Sequence, residues 1–354
     1  MNRNLSRPVL EAIAAAVLFG ASAPLAKILL DDVEPIPLAA FLYLGSGLGL
    51  MLFRGVHRRL AHVDDREAKI RRSDLPWLIG AIFAGGIAAP IILMFGLRAT
   101  PASTASLLLN FEGVATTLIA GLAFREALGR RTWWAVALIT LAGILLSWET
   151  GEWGISPGML GVLGACILWG IDNNFTRNIS AKDPVAIVTV KGVASGAFSL
   201  TLALALGNSL PDFPTVLGAM ALGSLCYGLS IVLFVRAMRS LGAARTGALF
   251  GTAPFVGAAL SFPLCGEAVS IKFLMVLPLT VTGVALLTNE EHDHLHHHKP
   301  VDHEHRHRHD DEHHIHRHTK PGWNPALIHV HSHIHEQIEH LHPHTPDIHH
   351  RHTH

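Results

Sequence analysis

The chain has 354 residues, half of them hydrophobic and only 15% charged, and its mean hydropathy of +0.37 excludes an ordinary soluble domain in favour of an integral membrane protein. The formal net charge of zero conceals a division: residues 1–288 hold 21 Lys/Arg against 16 Asp/Glu, whereas residues 289–354 hold 6 against 11, with 24 of the 26 histidines. Cys166, Cys226 and Cys265 are widely spaced inside apolar runs, so they point to packing rather than to a disulfide framework or a cysteine zinc site.

A bilayer core of about 30 Å needs roughly 20 residues of apolar helix, and a charge within it is costly. Ten apolar runs answer to this, near 9–30, 36–53, 76–97, 101–124, 132–148, 157–176, 184–206, 213–235, 246–265 and 272–288. Glu11 opens the first, where an acidic residue suits the positive end of a helix dipole. A competing reading of that run is a cleaved secretory signal, since Arg3 and Arg7 precede an apolar stretch ending in Ala21-Ser22-Ala23; nine further spans anchor the chain either way. The fourth span carries Glu112 near its middle, with Asn110, Thr116 and Thr117 around it. The sixth carries Asp172, Asn173 and Asn174, and the seventh carries Lys191. Alternate loops divide the basic residues 17 to 3, the rich side including the seven from Arg54 to Arg72. Basic loops stay in the cytoplasm, which predicts a multi-pass protein of the cell inner membrane with both termini cytoplasmic.

Shifting the sequence on itself by 140 to 150 residues aligns related segments in order. VLFG (17–20) meets ILWG (167–170), LRATPASTASLLL (97–109) meets MRSLGAARTGALF (238–250), REAL (125–128) meets GEAV (266–269), and LAGILL (141–146) meets VTGVAL (281–286). Five spans per half is an odd number, so the second half enters the membrane from the opposite side. The expected fold is all-α, with ten transmembrane helices as two inverted five-helix repeats over 1–150 and 151–288, followed by a disordered His-rich tail over 289–354. The five-plus-five plan, the FG and WG near the start of each half, and the small-residue runs leading to Glu126 and Glu267 resemble the EamA-type transporters of the drug/metabolite superfamily. That resemblance implies a carrier of small metabolites with a cavity between the halves, working by alternating access. The chain departs from the pattern at Asn110-Phe111-Glu112, where its second half has Pro254.

Ionisable groups inside spans face a bundle interior or a watery path. Glu112, Asn110, Asp172, Asn173, Asn174 and Lys191 are therefore the expected substrate path, with Glu112 cycling between charged and neutral forms. The alternative for Glu112 is a structural pair with Lys191 or a hydrogen-bonded core carboxyl; for Asp172 and Lys191 it is an ordinary polar helix end and a snorkelling lysine. Gly45 and Gly49, and Gly247 and Gly251, are small-xxx-small pairs that suit packing within one chain or a homodimer.

The tail is polar and repetitive. Dense imidazole with interleaved carboxylates suits Zn, Ni or Co, and His303, His305, His307 and His309 with His329, His331, His333 and His335 are the expected ligands. Alternate histidines share one face of an extended chain. A pH sensor is the competing reading, because neutral imidazoles charge near pH ~6.5. Three functions follow: a carrier of a small metabolite with a regulatory or buffering tail and no required cofactor, a carrier of a divalent metal or its chelate, and a metal-responsive sensor. Against metal as cargo, the spans contain no histidine. No phosphate loop, nucleophile motif or HExxH is present, so neither an enzyme nor a nucleic-acid partner is expected.

Overall fold

The computed structural model describes residues 3–61, 67–124, 129–147, 156–180, 182–241, 246, 249–288, 292–297, 301–307, 329–335 and 339–344. Up to residue 288 the described elements are helical: α1 (Arg3–Leu29), α2 (Pro35–Ala61), α3 (Leu75–Ala81), α4 (Ala89–Arg98), α5 (Ala102–Leu108), α6 (Phe111–Ala123), α7 (Arg130–Ser147), α8 (Pro157–Asn178), α9 (Pro184–Ala205), α10 (Phe213–Leu222), α11 (Ser230–Leu241), α12 (Ala253–Cys265) and α13 (Ile271–Thr288). Arg7–Leu29, Pro35–Val56, Arg72–Arg98, Ala102–Ala123, Pro184–Ala205 and Phe213–Ala237 are long and apolar enough to cross a membrane, and Ala253–Cys265 and Ile271–Leu286 are shorter apolar helices. Helix starts follow local chemistry. Ser156 Oγ accepts the Met159 N–H at 3.3 Å ahead of Pro157, and Asp183 Oδ1 accepts the Val185 and Ala186 N–H groups at 3.0 and 3.1 Å ahead of Pro184.

Four spans are not plain α-helices. A π segment, Ile82–Ala88, joins α3 to α4, and a second, Gly223–Leu229, starts 141 residues later between α10 and α11. The fourth span breaks at Leu109–Asn110 between α5 and α6, and a turn at Gly251–Thr252 precedes α12. Helix α1 begins at Arg3, so Glu11 lies about two turns inside it rather than at its start. There its Oε1 meets Arg7 Nε at 3.3 Å and Arg236 of α11 at 3.1 Å.

Small residues set the closest packing. Helices α2 and α9 cross where a Cβ on Gly47 would stand 2.6 Å from the Val193 backbone nitrogen and one on Gly192 would stand 2.7 Å from the Gly47 nitrogen. Gly45 and Gly49 lie against Met220 and Ser224 of the same chain, while Gly247 is outside the described residues. Around these crossings, α1 packs on α11 and α12, α6 and α4 on α8, and α7 on α13.

The tail corrects one expectation. Instead of disorder, the described residues after 288 form four strands, β1 (His292–His297), β2 (Val301–His307), β3 (His329–His335) and β4 (Glu339–His344). Strand β1 pairs with β4 and β2 with β3, both antiparallel. Absence of an apolar core does not prevent backbone ladders, and a period-two sequence is compatible with one.

Candidate functional site

The site grows from a backbone irregularity. In the π segment, Ala89 N–H bonds to Ala84 O, so the next donor in that pattern, for Gly85 O, is residue 90. Residue 90 is proline and has no N–H. Two buried side chains satisfy the carbonyl instead: Tyr43 Oη of α2 donates to it at 2.7 Å and Trp169 Nε1 of α8 at 3.1 Å. The glycines of this segment admit polar neighbours as well. The space a Cβ on Gly85 would take is filled by the Asp172 carboxylate, and that on Gly86 by Ser195 Oγ.

Asp172, buried on α8, forms an ion pair with Lys191 of α9 and accepts Thr176 Oγ1 at 3.0 Å. One turn on from Lys191, the buried Ser195 Oγ has no hydrogen-bond partner among the described residues. Glu112 stands in the first turn of α6, where the helix dipole favours a carboxylate. Its Oε1 accepts Asn173 Nδ2 at 2.9 Å, and the same amide reaches Thr116 Oγ1 at 3.1 Å. Asn173 is exposed and Glu112 half-buried.

The six expected path residues divide into three groups. Glu112 and Asn173 are joined. Asp172 and Lys191 are joined to each other, so the alternative pairing of Lys191 with Glu112 is not what forms. Asn110 and Asn174 serve the backbone: Asn110 Nδ2 bonds Leu107 O at 3.0 Å, and Asn174 Nδ2 bonds Thr116 O at 3.0 Å and Gly170 O at 2.8 Å.

Sequence reasoning missed the aromatic side of the site. Tyr43 and Tyr227 have ring centroids 5.9 Å apart; Phe19 lies 6.0 Å from Tyr227, Phe250 5.3 Å from Phe19, and Phe234 4.7 Å from Phe250. The signal was present, since these are the two tyrosines of the whole chain and both fall inside apolar runs. A second feature ties the corner between α4 and α5. Lys27 Nζ donates to Leu97 O at 2.6 Å and Arg98 O at 3.0 Å, while the Glu267 carboxylate accepts the Ala102 and Ser103 N–H groups. Its repeat counterpart Glu126 lies outside the described residues, as does His309, and the other seven expected tail ligands are strand residues.

The family model described as the EamA-like transporter family matches residues 6–148 and again residues 156–289. An "Uncharacterized transporter" of Methanothermobacter thermautotrophicus (strain Delta H) is 31% identical over 291 residues, covering 78% of this chain and 84% of that protein. A crystal structure 21% identical superposes with a TM-score of 0.56 over 79% of this chain and 96% of the other, which is a likeness of fold.

Proposed function

The chain belongs to the EamA-like transporter family, and from that premise we propose that it is a secondary carrier of a small metabolite, working by alternating access between two inverted five-helix repeats over 1–150 and 151–288. The recurrence of a π segment at an offset of 141 residues, and of a break in the span that follows, supports the repeat. The observation that carries the functional reading is Glu112: a half-buried carboxylate within a span, hydrogen-bonded to the exposed neutral amide of Asn173. In this reading Glu112 and Asn173 contact substrate or proton, and Asp172 with Lys191 fixes α8 against α9. In this reading the chain crosses a cell inner membrane ten times, and its basic loops put both termini on the cytoplasmic side.

The tail is proposed to bind Zn, Ni or Co as a regulator or buffer. Supporting this, the β2–β3 register sets His303 opposite His333, His305 opposite His331 and His307 opposite His329, and opposed residues of an antiparallel pair are about 5 Å apart. Metal as cargo is the weaker reading, because Asp172, one of the few carboxylates in the spans, is held by Lys191.

The test is metabolite profiling of medium and cells for deletion, full-length, Glu112→Gln and 1–288 strains. We expect at least one metabolite to redistribute with the full-length protein and to return to the deletion pattern with Glu112→Gln, at equal membrane abundance. An active Glu112→Gln protein removes the assignment. Cell metal content that follows the full-length protein but not Glu112→Gln would instead support metal as cargo.

A further inference from the structure

Pairing in the tail is more specific than a histidine-rich composition requires, and it refines the metal-binding reading above, on which this inference rests. In β1–β4, His292, His294 and His296 stand opposite His344, His342 and His340. In β2–β3, His303, His305 and His307 stand opposite His333, His331 and His329. With His297 and His335 excepted, every strand histidine is thus opposed to another histidine. Residues 298–300 separate β1 from β2 and residues 336–338 separate β3 from β4, so the equal gaps keep both ladders in one register. Positions two apart share a face, so each ladder presents three histidine rungs on one face of its ribbon. A one-residue slip in β2–β3, setting His303 opposite Ile334 or Ser332, would leave none of its rungs.

Opposed positions are about 5 Å apart, and adjacent rungs of one face about 7 Å apart. Four histidines of two adjacent rungs are therefore close enough to serve one ion, and zinc closes its structural sites with four ligands. Outer rungs are about 14 Å apart, too far to share an ion. Either choice of adjacent rungs includes the middle one, His294 with His342 or His305 with His331. A two-stranded ribbon without a core is marginally stable in water, so it gains most from a cross-link between its strands. Among the described residues no group of three or more His, Cys, Asp or Glu is already placed to hold a metal ion. The register supplies opposed positions, and an ion is needed to gather them.

We propose that each ladder takes one divalent ion of the zinc type at four histidine positions of two adjacent rungs, and that these two ions fasten the strands in register. The free energy of binding is then the free energy that keeps the strands paired, so the tail is a two-ion ribbon that opens when its metal is withdrawn.

The experiment titrates purified full-length protein in detergent with zinc, against a competing chelator that separates tight from weak equivalents. Two tight equivalents are expected. Removing one middle rung, by His305→Ala with His331→Ala, should lose one of them, with an affinity loss of about tenfold or more, since even changes outside the ligand shell cost that much. His294→Ala with His342→Ala should lose the other. Removing an outer rung, by His307→Ala with His329→Ala, takes away as many histidines and should keep both. Backbone hydrogen exchange over 301–307 and 329–335 should slow with zinc, and should speed up again after chelation and in the first middle-rung variant. An unchanged unfolding midpoint of the helical body shows that each variant is otherwise intact. The proposal is overturned if middle and outer rungs cost the same, if zinc leaves the exchange unchanged, or if the tight equivalents are not two; zinc still held by the tail in such a result leaves the broader metal-binding reading standing. A full-length protein that binds no zinc removes both.

Discussion

Gly85 illustrates how much a single position constrains. Its missing Cβ makes room for the Asp172 carboxylate, and its carbonyl receives Tyr43 and Trp169. Gly85→Ala should therefore lower the unfolding midpoint, with an overpacking cost of about 1–3 kcal/mol, and should shift Asp172 away from Lys191. Lys191→Met tests the pair from the other side. Leaving a buried carboxylate without its cation typically costs about 3–5 kcal/mol, so the single variant should be strongly destabilised, while Asp172→Asn with Lys191→Met recovers much of the loss. A denaturant double-mutant cycle measures both, and an additive result would show that the two residues do not act as a pair. At this scale the sequence exposed Glu112, Asp172 and Lys191 because charges stand out in apolar runs. It did not expose which of them pair, since Lys191 lies 19 residues from Asp172 on a different helix and its reach depends on two glycines of a third span.

Elements were legible in kind, and illegible in their breaks. Apolar runs locate the helices because burial in lipid dominates their composition, but a π turn has the same composition as the α-helix around it. Pro90, five residues after Gly85, was the local clue to the first, and only the geometry shows that side chains of α2 and α8 complete the bonding. Removing one donor should be tolerated. Tyr43→Phe is expected to cost about 0.5–1.5 kcal/mol because Trp169 still serves the carbonyl, whereas adding Trp169→Phe should cost more than the two single changes together. Unfolding midpoints of the three variants in one detergent check this. Similarly, Glu11 was read as a helix start because the apolar run begins there, but polar residues upstream continue the helix to Arg3.

For the whole molecule, the helical body and the tail are expected to behave as separable parts. Truncation after 288 should leave the unfolding midpoint of the body unchanged while abolishing retention on immobilised nickel, and replacing His329, His331, His333 and His335 by Ala should reduce the zinc equivalents bound without removing them all. A chelator should reverse zinc binding, and tight zinc binding by the 1–288 protein would refute the division. The same tail shows the limit of composition as a guide: it excluded a core, but pairing of β1 with β4 and β2 with β3 is a matter of register that composition does not fix.

The oxygen of Gly85 accepts from side chains of both α2 and α8, and it belongs to a third span. Helix α2 comes from the first family match and α8 from the second. Any relative displacement of these three pieces must either stretch a bond of about 3 Å or turn about that oxygen, which makes this atom a ball joint: rotation is cheap there, and translation is not.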